Sequence, residues 1–194
     1  MPAAGTLIHD EVTNAVIGWA LISVVTIAAI STAISGDYLR TTFTVLIAAV
    51  AALPALVRAN HEVMVPWPLL ALTTGAVVTL SFGGRPDIGT PVAVAGLALI
   101  GVAELGAFTT VEMSYRFAVG FATLTTLALQ GVWIVAQFYA DRWLETEYLT
   151  TQVELQIDIV IVTVIAVVVG LLFQWYVTRF EPPGSRAYHG GPTE

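Results

Sequence analysis

A chain of 194 residues that is 57% hydrophobic and 11% charged, with a mean hydropathy of +0.83, lacks the polar surface of a water-exposed globule; soluble domains carry about 25% charged residues. The absence of cysteine excludes disulfides, thiolate nucleophiles and cysteine-ligated metals. A net charge of −7, with arginine as the only basic residue type apart from histidine, excludes the basic stripe that a nucleic-acid partner needs. What remains is an all-α integral membrane protein whose first partner is the lipid bilayer. Its acidic, lysine-free balance is that of a salt-loving, haloarchaeal-type proteome.

Residues 1–13 hold His9, Asp10 and Glu11 but no Arg or Lys, so the positive n-region of a secretory signal is missing. The first apolar run, 15–34, is therefore expected to be a retained helix. It follows Asn14 and is stopped by Gly36-Asp37. Its length corresponds to about 30 Å of helix, the thickness of the hydrocarbon core. The second run, 41–57, is bracketed by Arg40 and Arg58, and Pro54 is expected to kink or finish it. Ala48/Ala52 and Ala51/Ala55 place small residues four apart, which permits close helix packing in lipid.

Pro66-Trp67-Pro68 opens the third run, 66–82, and Gly83-Gly84-Arg85-Pro86-Asp87 reads as a tight turn. The fourth run, 88–108, contains Glu104. The fifth, 117–140, contains Gln130 and Gln137. An acidic loop, 141–154, leads to the Val/Ile-rich sixth run, 157–177. The spacing thus predicts a bundle of six transmembrane helices forming one domain over residues 1–180, followed by a disordered Pro/Gly-rich tail, 181–194. The runs are continuous rather than alternating, which excludes a β-barrel. Six spans put both termini on one side. That side carries Arg58, Arg116, Arg179 and Arg186 against Arg40, Arg85 and Arg142 opposite, which favours cytoplasmic termini in the cell membrane.

Few polar groups interrupt the runs. Glu104 is the ionisable residue well inside one, and a charge there costs about 2.5–3.5 kcal/mol on insertion scales. It is read either as a helix-end carboxylate reaching the headgroups, the simpler account, or as a proton-handling or substrate-binding group. Glu112 and Arg116, four apart, form a candidate ion pair. Glu154 and Asp158 share that spacing at the entrance to the sixth run. Gln130 and Gln137 lie seven apart on one face, extended by Gly120, Thr123 and Thr126, and mark a packing face. No metal-ligand, P-loop, dinucleotide or nucleophile-elbow motif occurs, so neither a metal nor a cofactor is expected.

Three patches carry a family resemblance: Glu112-Met113-Ser114-Tyr115-Arg116, then Trp133 to Phe138 with Asp141-Arg142, then Gln152 to Asp158. Over residues 100–178 the chain resembles the uncharacterised YjdF-like family of multi-pass membrane proteins, which has many haloarchaeal members. Those proteins typically show an Asp-x-x-x-His pair, a Trp-Glu-x-x-Glu-Phe run with a following Asp-Arg, and an Asp entering the last helix. Here Glu112 stands for the Asp, Arg116 for the His, and Ile134 and Gln137 for the two Glu. A polar or metal-binding centre implied by that resemblance has lost its imidazole and two carboxylates, and arginine cannot ligate a metal. Together these readings point to a non-catalytic structural, accessory or partner-binding protein. The alternative is a small transporter or channel using Glu104 and Asp158. The small-residue faces permit homo- or hetero-oligomers.

Overall fold

The computed structural model describes residues 11–83, 86–108, 115–146, 148, 160–165, 167, 168, 170 and 171. Five helices run in order: α1 (Glu11–Ile34), α2 (Tyr38–Val57), α3 (Trp67–Ser81), α4 (Pro86–Phe108) and α5 (Tyr115–Leu144). A sixth, α6, comprises the helical residues at 160–165, 167, 168, 170 and 171. No strand occurs among the described residues. Four helices are long and apolar enough to cross a membrane, over Val12–Ile34, Tyr38–Val57, Ile88–Leu105 and Gly120–Leu144.

The third run forms a helix at its expected place but a short one. Its helix has 15 residues, a length of about 22 Å, short of a full span. The segment before it, 58–66, is irregular and packs beside the first turns of α1. Pro54 does not finish α2. The helix continues to Val57, and Arg58 N donates back to the Pro54 carbonyl at 3.1 Å. Ala59 then takes a left-handed φ of 48°, and Asn60 N reaches Ala55 O, closing the helix end.

α4 is the hub. Two-thirds of its spanning window is buried (67%), against 22–33% for the other three long helices. Ala93, Ala95 and Ile100 are wholly inaccessible. α3 and α5 flank it, and α1 packs on α2 and α3. One core cluster joins Val25, Ala28, Ile47, Ala76, Val77, Leu80, Ala93 and Leu97. The other joins Ile22, Ala51, Leu69, Leu70, Leu99, Ile100 and Ala122. Ala51 and Ala55 are buried, as their small-residue spacing predicts. Val16, Ile27 and Ile30 of α1, Leu124 and Val132 of α5, and Val160 and Val164 of α6 face outward. An apolar outer face around a solid apolar centre suits lipid rather than water.

The tightest approach is α3 on α4. A Cβ placed on Gly96 would collide with Thr73 Oγ1 and lie 3.0 Å from Thr73 Cβ. Glycine lets the two backbones meet there. Gly96→Ala is expected to cost about 1–3 kcal/mol through overpacking. Thr73→Ala in the same chain is expected to recover part of the loss. Thermal unfolding followed by circular dichroism checks both, and an unchanged midpoint for Gly96→Ala would contradict the contact.

Candidate functional site

The site lies at the end of the bundle where α1 begins, and a single amide fastens it. Asn14, half-buried on α1, donates from Nδ2 to the carbonyls of Met64 and Val65 at 3.4 and 3.3 Å, and its Oδ1 accepts from Trp67 N at 2.8 Å. These are backbone groups of an irregular segment and of a helix start, with no helical partner of their own. Trp19 Nε1 donates to His61 O at 3.1 Å, one turn further along α1. Gly18 makes room for Met64, whose Cε would lie 2.8 Å from a Cβ at that position.

Behind this segment lies a pocket of about 100 Å³. The last turn of α2 supplies Pro54 and Arg58, the fastened segment supplies Val63, Met64, Val65 and Pro66, and α4 supplies Ala103 and Glu104. Glu104 is 8% exposed, and its Oε1 has no hydrogen-bond partner. α2 and the 58–66 segment lie beside Glu104, and together they line the pocket.

The other expected residues fall elsewhere. Gln130 is buried on α5 with Oε1 unpartnered, and Gln137 is half-buried two turns on. Thr126 is buried and donates back along α5 to Ala122 O at 2.8 Å. Gly120, expected on the same face, is exposed. Trp133, one turn from Gln130, is buried against Phe43 at a ring separation of 4.5 Å, its Nε1 unpartnered. Arg116 falls in the first turn of α5. Glu112, Glu154, Asp158 and the 181–194 tail lie outside the described residues. Among the described residues no group of three or more His, Asp or Glu side chains gathers as a metal site does.

The opposite end carries a second polar cluster. Asp141 and Arg142 were expected in a loop but belong to the last turn of α5. Asp141 Oδ1 accepts from Thr146 Oγ1 at 2.7 Å and Tyr148 N at 2.8 Å, which folds the chain back after the helix. The Tyr148 hydroxyl donates to Asp37, the residue that caps α2 through Arg40 N at 3.0 Å. Arg40 pairs with Asp37 at 3.3 Å and lies 5.9 Å from the centre of the Tyr148 ring.

Residues 3–64 match a family described as a domain of unknown function, DUF8268. No curated protein and no solved structure matches the chain. The matched segment holds α1, α2 and half of the pocket lining, from Pro54 to Met64, together with Asn14. It does not reach the part of the chain that carries the YjdF-like resemblance.

Two outcomes are expected. Asn14→Ala leaves three backbone groups without their partner and is expected to destabilise by about 1–3 kcal/mol, with cleavage by added protease rising within 58–66. Unchanged proteolysis would show that Asn14 does not hold the segment. Burial first, then the hydrogen bond to Asp37, pushes the Tyr148 hydroxyl above the ordinary tyrosine value of 10.0. A raised folded pKa means that the clasp contributes fully below pH 10.0 and is lost as pH rises through the folded value. Ultraviolet titration should show one late-ionising tyrosine that disappears in Tyr148→Phe; identical titrations would refute the clasp.

Proposed function

We propose that this chain is a multi-pass membrane protein that works by binding, without catalysis or conduction. One observation carries the reading. The Glu104 pocket opens at one end of the bundle and stops there, because the preceding turn of α4 is solid core. Leu99 and Ile100 are buried against Val65, Leu69 and Leu70, and Val65 itself forms pocket wall. A carboxyl group lining a pocket that ends on solid core is suited to hold something, whereas a conducting path needs polar groups in series across the hydrocarbon.

In this reading six helices cross the membrane, with α3 completed by the fastened 58–66 segment. Both termini face the cytoplasm under the positive-inside rule. Irregular backbone at membrane depth is tolerated where protein covers it, and Asn14 and Trp19 supply that cover. Kinship with YjdF-like proteins, and a haloarchaeal source, fit the same role. The carboxylates that such a chain would use for chemistry are replaced by Ile134 and Gln137.

The transporter reading has Glu104 in its favour, and flux separates the two. Reconstituted into liposomes loaded with a pH-sensitive dye, the protein is expected to leave proton leak at the protein-free level, with no change in Glu104→Gln. Leak above that level, abolished by Glu104→Gln, would establish transport instead.

A further inference from the structure

Glu104 is the one buried ionisable side chain among the described residues, and it is buried with an oxygen unpartnered. Such a group is costly unless something donates to it. The pocket has room for about three waters at liquid volume. An ordered water wants two to four polar partners. Beyond Glu104 and Arg58, however, the pocket is walled by Pro54, Val63, Met64, Val65, Pro66 and Ala103. The nearby carbonyls of Met64 and Val65 already accept from Asn14. Among the described residues the pocket thus carries one carboxyl group, Glu104, apolar walls, and the exposed Arg58 guanidinium.

We infer that this pocket is a binding site for a small zwitterion. A primary ammonium donates to Glu104, its adjoining carbons lie against Pro54, Val65 and Ala103, and its anionic group meets Arg58. A guanidinium has five donors, so it engages an anion while keeping its other contacts. A plain cation is repelled by Arg58 and a plain anion by Glu104, which makes the pair a charge filter. This rests on the reading of the chain as a binding protein. At the bundle end, the same chemistry is offered by a free amino acid and by an aminophospholipid headgroup.

The full chain in phosphatidylcholine nanodiscs, titrated with glycine, tests the first source. Discs containing phosphatidylethanolamine test the second. Ethylammonium and acetate serve as single-charge controls, and the thermal midpoint is the readout. A saturable rise with glycine, or a higher midpoint in phosphatidylethanolamine discs, is expected, with no rise from either control. A response to glycine assigns a soluble ligand, and a response to the lipid alone assigns a headgroup. Glu104→Gln is expected to weaken the response about tenfold through loss of a charge-assisted hydrogen bond. Ala103→Leu, which fills the pocket while keeping both charges, is expected to abolish it. No response in either arm overturns the inference, as does an equal response to ethylammonium or in Ala103→Leu. Flux is not measured, so failure here leaves the non-conducting reading standing or falling on its own test.

Discussion

The wall of the Glu104 pocket is fastened to α1 chiefly by one side-chain amide. The 58–66 segment has neither helix nor strand: turns satisfy the N–H groups of Ala59, Asn60, Glu62 and Val63, but not the carbonyls of Met64 and Val65, and it lies beside a helix that is long and apolar enough to be in lipid. Backbone groups left open in hydrocarbon cost several kcal/mol each. Asn14 meets three of them at once, two carbonyls and one N–H, using the full donor–acceptor range of a carboxamide. With the segment fixed, Val63 to Pro66 become a wall, and Glu104 acquires a cover that α4 alone does not provide.

The bundle behind that wall is built on close approach. α4 has almost no polar side chain in its middle and is buried nearly all round, so its neighbours pack on it by shape. Gly96 under Thr73, and Gly89 under Leu80, set how near α3 comes. Threonines satisfy their own hydroxyls by donating back along their helices, as Thr73 does to Leu69 O and Thr126 to Ala122 O. Among the described residues three places break this economy of polar groups: the Glu104 pocket, Trp67 Nε1 at the start of α3, and the Gln130–Trp133 turn of α5. The first lines a pocket.

Apolar run length made α1, α2, α4 and α5 legible from sequence, because lipid thickness fixes the length of a spanning helix. It also located α3, whose helix Trp67–Ser81 fills the 66–82 run to within one residue at each end but stays shorter than the four long apolar helices. It also placed Asp141 and Arg142 in a loop, since charge alone does not reveal a carboxylate that turns back to hold Thr146 and Tyr148. That Gln130 and Thr126 share a helix face was readable because helical spacing encodes it. The burial of Glu104 was not, because its cover comes from a segment forty residues earlier in the chain, held by a residue a further fifty away. The one signal present was Asn14 itself, a lone carboxamide at the head of an otherwise uncharged run.

The central claim is that the Asn14-fastened segment buries position 104. The natural absence of cysteine allows this to be measured directly. Glu104→Cys is reacted with a membrane-impermeant thiol reagent in the native background and in Asn14→Ala. Slow labelling in the first, and labelling at least about tenfold faster in the second, are expected from loss of the clasp. Rapid labelling at the same rate in both would mean that position 104 faces the headgroups and that the pocket does not enclose it.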